Sequence, residues 1–212
     1  MKYNLIIWTL LSYRIRKGLE VVAPQEDGKA LVRKAKPIYK ELLSQVEGIS
    51  NENPMSSNII YSFVGLAVWL ASDKRISPDT LLEAFVIAIS WGPIKKSMEK
   101  IDLNTEEGMN VIKQKLHKAD DWAKQHPEDT NNWDFHFDDT LHEDGFYYYF
   151  TKCPIASFCK EHGYEEFTHA CCDIDHVTFN MEHGILHREG TVAEGKEKCD
   201  YWIVGDKQVD PK

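Results

Sequence analysis

Residues 1–116 contain neither cysteine nor histidine; all five cysteines and all nine histidines lie from His117 onward. Because these side chains supply thiolate nucleophiles, imidazole bases and soft metal ligands, any such chemistry must come from the later part of the chain. The sequence also has no C-x-x-C pair, glycine-rich phosphate loop, G-x-S-x-G elbow or dinucleotide fingerprint. The missing C-x-x-C pair argues against a structural zinc site. The missing phosphate loop, elbow and fingerprint argue against the nucleotide-binding proteins and serine hydrolases that use these motifs.

Basic residues are scarce toward the C-terminus. Residues 126–212 hold 7 Lys/Arg against 19 Asp/Glu, in a protein whose net charge is −9. An acidic region of this size repels phosphate backbones. We therefore expect no nucleic-acid partner.

A cleavable export signal is also missing. Met1–Tyr13 predicts a helix, and no small-residue cleavage site follows it before Arg14 and Arg16. We expect a cytoplasmic protein whose cysteines, odd in number, stay free thiols. Met55–Ser72 is uncharged and long enough to raise a membrane span. Its serines and Asn58 favour a buried or oligomer-interface helix instead, so we expect no membrane partner and a possible homo-oligomer.

Hydrophobic periodicity predicts an α+β fold: a helical N-terminal half, residues 1–125, followed by a small, mostly antiparallel sheet with one or two helices, residues 133–212. The loop at 126–132 separates two regions that form either two lobes or one integrated domain. The predicted helices of the first half are Gly28–Ile49, a helix from Ser77-Pro78 to Gly92-Pro93, and Asn104–Lys124. The second half is predicted to contain a strand over Phe146–Thr151, a helix over Pro154–His162, and strands over Ile185–Ala193 and Lys198–Val204 joined by a four-residue turn.

A group of reactive side chains falls on one face if Tyr164–Asp175 is helical. His169, Cys172 and either Asp175 or His176 then share that face at three- and four-residue spacings. An imidazolium lowers the pKa of a neighbouring thiol and a carboxylate orients the imidazole, so this set can activate a sulfur nucleophile. The alternative is a buried cysteine that packs as a small apolar residue.

The predicted hairpin gathers a second group. A four-residue turn places Thr191 opposite Asp200 and Val192 opposite Cys199, so that Thr191 and Asp200 can share a hydrogen bond. Arg188 faces the same side as Cys199, where its guanidinium can receive a substrate carboxylate in bidentate fashion. The alternative is a surface arginine paired with nearby acids.

These segments resemble one enzyme family when taken in order. The residues that carry the resemblance are Thr151-Lys152-Cys153-Pro154 before a short helix that ends at Gly163, then Cys172 and Asp175, then Arg188, Thr191, Gly195, Cys199 and Asp200. Together they resemble the L-2-amino-thiazoline-4-carboxylic acid hydrolase family over roughly the last seventy residues. Tyr201 stands where phenylalanine is usual in that family.

The resemblance implies a hydrolase that opens a cyclic isothiourea, at a C–S or C–N bond, to a carbamoyl-cysteine. In that reaction Cys172 or Cys199 suits the nucleophile, and Asp175 or Asp200 suits general acid/base work. Arg188 suits the substrate carboxylate. The further residues expected to bind substrate are Thr191, Cys153, His169 and His176.

A binding function is the second hypothesis. The same cysteines would hold a metal ion or a small ligand without turnover. The enzyme hypothesis requires no cofactor, although a bound metal remains open. Its partner is a small molecule that carries a carboxylate.

Overall fold

The computed structural model describes residues 1–207, and its first half is helical, as predicted. Helix caps account for several of the starts: the Ser77 hydroxyl accepts the Thr80 N–H at 3.1 Å, and Asn4 and Asp27 accept N–H groups in the same way. The helices of this half are α1 (Leu5–Val22), α2 (Gly28–Ser44), α3 (Ser56–Ala71), α4 (Pro78–Ile89), α5 (Gly92–Met98) and α6 (Glu106–Gln125).

The second half carries the sheet and two helices, which confirms the predicted fold class. Its elements are β1 (Phe135–Phe137), β2 (Phe146–Phe150), α7 (Pro154–Glu161), α8 (Glu165–Met181), β3 (Gly184–His187), a 3₁₀ turn (Val192–Glu194) and β4 (Cys199–Gly205). The strands run in the order β1-β2-β4-β3, and each neighbouring pair is antiparallel. The short strand β1 was not predicted.

The uncharged helix α3 lies in the core. Phe63 and Trp69 are each no more than 1% exposed. Their rings contact Phe158 of α7 at 4.6 Å and Phe167 of α8 at 5.5 Å between centroids. Aromatic packing therefore joins the helical half to the helices that flank the sheet.

Within residues 1–207, no helix has the length and apolar character that crossing a bilayer requires.

Polar contacts fix the loop at 126–132 against the helical half. The Asp129 carboxylate accepts the Trp122 indole N–H at 3.1 Å and the Asn53 amide at 3.5 Å. Asp129 is only 8% exposed, so these donors compensate for the burial of its charge. The hydrophobic core runs without a break from α1 to β4.

The hairpin between β3 and β4 differs from the prediction. His187 pairs with Trp202, and β3 ends there instead of continuing to Ala193. The Thr191–Asp200 hydrogen bond is not formed, because the Asp200 carboxylate accepts the N–H groups of Glu189 and Gly190 at 3.0 and 3.1 Å. The Asp200 side chain thus accepts the hydrogen bonds that the N–H groups of a continued β3 would donate to the neighbouring strand.

The hairpin register is shifted by two residues relative to the prediction. If the observed pairing is continued past the end of β3, Arg188 lies opposite Tyr201. The predicted four-residue turn instead places Arg188 opposite a residue two positions farther along β4. Side chains alternate with a period of two along a strand. Arg188 therefore keeps the same face as Cys199, as predicted.

Gly18 makes α1 and α4 approach closely. A Cβ at this position would lie 2.3 Å from the Ala84 carbonyl oxygen, which is backbone and cannot turn aside. We expect Gly18→Ala to lower the free energy of unfolding by about 1–3 kcal/mol through overpacking. Gly92→Ala is the matched control, since nothing lies within 4 Å of that Cβ. Urea unfolding of the two variants tests this, and equal stability of both would contradict it.

Candidate active site

Arg188 is a buried cation at the junction of sheet and helix. Its side chain is 5% exposed. One guanidinium nitrogen donates to the Cys172 carbonyl at 3.1 Å and the other donates to Asp173 at 3.2 Å. The guanidinium also lies over the Tyr201 ring, 5.6 Å from its centroid. Burial alone would lower the pKa of Arg188, but the neighbouring Tyr201 and Asp175 raise it, so the cation is retained.

Asp175 is the second charged group of the site. Its Oδ2 accepts the Tyr201 hydroxyl at 2.7 Å and lies 3.7 Å from the Arg188 guanidinium. About a third of the side chain is exposed, 34%, yet desolvation by the surrounding protein raises the pKa of this carboxyl to about 6, against the opposing effects of Tyr201 and Arg188. Asp175 therefore changes protonation state near neutral pH, which suits a group that exchanges protons with a substrate.

Three thiols face the same region. Cys153 precedes α7, Cys172 lies on α8 and Cys199 begins β4. Burial raises the pKa of Cys153 to about 12 and that of Cys199 to about 11, and it also raises the pKa of Cys172. Each thiol lies close enough to the others that a thiolate at one would raise the pKa of its neighbours. All three are therefore thiols at neutral pH, and the backbone N–H of Val192, 3.1 Å from the Cys199 sulfur, opposes the shift there.

Backbone hydrogen bonds to Asp134 fix the position of Cys153. One Asp134 oxygen accepts the N–H groups of Thr151 and Lys152 at 2.8 and 2.6 Å, and the other accepts the Thr151 hydroxyl. Pro154 then occupies the first position of α7, where its missing N–H costs nothing. The hydrogen bonds to Asp134 thus fix the backbone of the Thr-Lys-Cys-Pro segment and, with it, the position of Cys153 near the other thiols.

Thr191 and Asp200 shape the loop that follows Arg188. Thr191 is 3% exposed, and its hydroxyl accepts the Glu194 N–H at 3.3 Å while the Glu194 carboxylate accepts the Thr191 N–H at 2.8 Å. This reciprocal capping box starts the 3₁₀ turn. Asp200 binds the two N–H groups directly after Arg188. The Thr191 and Asp200 side chains thus fix the backbone of the loop that follows Arg188.

The two histidines of α8 contact different parts of the protein. The His169 Nε2 atom is 2.9 Å from Asp79 of α4, and this pair is exposed. His176 is half-buried beside Arg188, and burial first, then that cation, lower the pKa of its imidazole. The structure therefore groups His176 with Cys172, Asp175 and Arg188, and it pairs His169 with a different helix.

Metal ligation has no arrangement of residues to support it in the described part of the chain. Within residues 1–207, no three His, Cys, Asp or Glu side chains lie where they could hold one ion together. The three thiols come from segments held by separate backbone contacts.

Three residues of the site were not among the predicted ones. Tyr201 shares the inward face of β4 with Cys199, so the period of two along that strand was a signal for it. Asp173 lies within the Cys172–Asp175 segment, but it is on the solvent side, 47% exposed. The third is Tyr148, which stacks on Tyr201 at 4.8 Å between ring centroids.

The comparison with known families bears on this arrangement. The L-2-amino-thiazoline-4-carboxylic acid hydrolase family matches residues 60–203, about two thirds of the chain. The chain belongs to this family. No curated protein and no solved structure matches it. The family match begins within α3 and ends within β4, so it contains Cys153, Cys172, Asp175, Arg188 and Cys199, whereas α1 and α2 lie before it.

In this L-2-amino-thiazoline-4-carboxylic acid hydrolase family member, Glu182 makes stability depend on pH. Burial raises its pKa to about 7, although Lys115 opposes the shift. The folded state therefore holds a proton that the unfolded chain releases between the ordinary glutamate pKa, about 4.3, and about 7. Stability falls as the pH rises through that window.

We expect Glu182→Gln to remove this loss. The variant should gain on the order of 1–2 kcal/mol over the parent at pH 8 and little at pH 4, with the cost discounted because the carboxyl is only half-buried. Urea unfolding of both proteins at the two pH values measures the difference. A gain that is the same at pH 4 and pH 8 would contradict the assignment.

Proposed function

We propose that the protein is a cysteine-dependent hydrolase that opens L-2-amino-thiazoline-4-carboxylate to N-carbamoyl-cysteine. The observation that carries the proposal is the convergence of Cys153, Cys172 and Cys199 on the Asp175–Arg188 pair. Membership of the hydrolase family supports the substrate class. A site that combines a sulfur nucleophile, a proton-exchanging carboxyl and a cation matches the three needs of this ring: attack at C2, protonation of the departing sulfur, and a partner for the substrate carboxylate.

Cys172 is our first candidate for the nucleophile. It is half-buried, whereas Cys199 is 3% exposed. Cys172 also precedes Asp175 by three residues on α8, so the two side chains share a helix face. Because its thiol pKa is raised, Cys172 must lose its proton as it attacks, and the Asp175 carboxylate is the base beside it. Cys199 is the alternative nucleophile, with the Val192 N–H to stabilise its thiolate.

The proposed reaction balances as one addition of water. The Cys172 sulfur bonds to C2 and passes its proton to Asp175, and the C2–ring-sulfur bond then breaks as Asp175 returns that proton to the ring sulfur. Water attacks the resulting S-linked isothiourea, and the Cys172 thiol leaves with a proton. The product is a urea with a free thiol, which holds all the atoms of the substrate and of one water molecule.

Arg188 can take the substrate carboxylate without losing its buried partners. Its contact with Asp173 involves a half-exposed carboxylate, whereas those with the Cys172 carbonyl and Asp175 lie deeper. A substrate carboxylate that replaced Asp173 would keep the guanidinium paired. We expect Thr191 and Asp200 to support this exchange by holding the loop after Arg188, and Cys153 and His176 to line the site.

The first test follows thiol release and formation of N-carbamoyl-cysteine by mass spectrometry, on anaerobically purified protein whose metal content is determined in parallel. We expect Cys172→Ser to lower kcat on the order of 10³-fold or more, as loss of a nucleophile does. Cys159→Ser is the matched control, since Cys159 is buried, 0% exposed, and has no part in the proposed reaction.

The competing outcomes are distinct. A loss confined to Cys199→Ser would assign attack to Cys199 and keep the cysteine-dependent reaction. Full activity in both single variants and in Cys153→Ser would refute a cysteine mechanism. No turnover by the parent protein would refute this substrate.

Tyr201 provides a test of the role of Asp175. Its hydroxyl stabilises the ionised carboxyl, so Tyr201→Phe should raise the pKa of Asp175 above about 6. If Asp175 is the base, the acidic limb of the kcat/KM profile should move to higher pH by roughly one unit, the size expected for loss of a charged hydrogen bond. Tyr148→Phe is the control, because Tyr148 stacks on Tyr201 without bonding to Asp175. An unmoved limb would exclude Asp175 as the titrating base.

A further inference from the structure

One face of α1 exposes large apolar side chains. Ile6 is 79% exposed, and the same face carries Leu10 and Tyr13, 43% and 48% exposed. Their three- and four-residue spacings place them opposite the buried face of the helix. Apolar groups in such a row are unusual on a helix that has only water beside it.

Trp91 extends this face onto α5. The Arg14 guanidinium lies over the Trp91 ring, 4.9 Å from its centroid, and Trp91 is itself 39% exposed. Helix α5 begins directly after Trp91 and buries none of its residues. The exposed face of α1, Trp91 and α5 therefore form one continuous area, which we call the α1–α5 surface.

The α1–α5 surface is cationic in an acidic protein. Residues 1–22 and 91–100 together hold seven Lys/Arg and two Asp/Glu, a net charge of +5 in a chain of net −9. Lys2, Lys96 and Lys100 are exposed. Within residues 1–207 no carboxylate lies in ion-pair distance of these three. Lys2 precedes α1, Lys96 lies in α5 and Lys100 follows it, so three exposed ammonium groups lie in the segments that form this surface.

We propose that the α1–α5 surface binds the interface of an anionic lipid bilayer. Apolar side chains on one face of a helix enter the boundary between headgroups and acyl chains, while flanking Lys and Arg side chains contact anionic headgroups. Tryptophan is enriched at the same depth. The expectation of no membrane partner rested on the absence of a spanning segment, and contact with the bilayer surface requires none.

Charge selects the bilayer over a second copy of the chain. Two copies that met through this surface would bring two positive areas together, which is unfavourable. Four exposed apolar side chains are also few beside the roughly 20–30 residues that each partner contributes to a stable interface. An anionic bilayer, by contrast, is opposite in charge to the α1–α5 surface and attracts it.

The test is co-sedimentation of the full-length protein with vesicles. We expect binding to phosphatidylcholine vesicles that contain phosphatidylserine, little binding to phosphatidylcholine alone, and a decrease with added salt. The double variant Ile6→Glu/Leu10→Glu should weaken binding at least tenfold. Lys96→Glu should weaken it about fivefold or more, the effect of one cation near the membrane.

Val111→Glu is the matched control, since Val111 is 44% exposed on α6, away from this surface. It should bind like the parent, and thermal unfolding should show that all variants remain folded. Absence of binding to the anionic vesicles at low salt would overturn the proposal. So would a dimer in analytical ultracentrifugation that Ile6→Glu/Leu10→Glu converts to monomer, because a second copy would then cover the face. Both results are independent of thiazoline hydrolysis.

Discussion

The burial of the Arg188 guanidinium constrains the arrangement of the whole site. A side chain 5% exposed must find partners for its charge within the protein, because a buried charge left without a partner costs several kcal/mol, about 3–5 when one partner of a pair is removed. Its partners, the Cys172 carbonyl, Asp173 and Asp175, all lie on one turn of α8. That turn is therefore held against the end of β3, which brings Cys172 and Asp175 to the side of the sheet that carries Cys199.

Desolvation and pairing compete at this junction, and the outcome differs from group to group. At Asp175 desolvation exceeds the combined effect of Tyr201 and Arg188, so its pKa rises to about 6. At Arg188 the neighbouring charges exceed desolvation, and the cation is kept. The thiols have little to oppose burial and stay protonated. A reaction here must therefore remove the thiol proton during attack instead of starting from a stored thiolate, and a carboxyl with a pKa near neutrality is suited to receive it.

The helices and the inward face of the sheet follow from local patterns, whereas the loop after Arg188 does not. Caps such as Ser77 and the aromatic composition of β2 are local signals that the fold obeys. The β3–β4 hairpin was predicted from β-propensity and turn composition, but Asp200 and the Thr191–Glu194 capping box take its backbone donors. Such side-chain competition depends on which residues meet in space. For the same reason, the hydrogen bonds to Asp134 that fix Cys153 could not be predicted from local sequence, since their partners are separated by 17 or 18 residues.

Under the proposed function, the difference in exposure between Asp173 and Asp175, the two carboxylates that contact Arg188, would let the site select an anionic substrate. The Asp173 contact is half-exposed, and such surface pairs contribute only about 0–1 kcal/mol, so an incoming carboxylate can replace it at little cost. Loss of the contact with Asp175 would instead disturb the carboxyl that we propose as the base. A neutral ligand that displaced Asp173 would leave part of the guanidinium unpaired, which is unfavourable. The proposed selection for a carboxylate would then follow from the Arg188–Asp173 pair that already exists in the free protein.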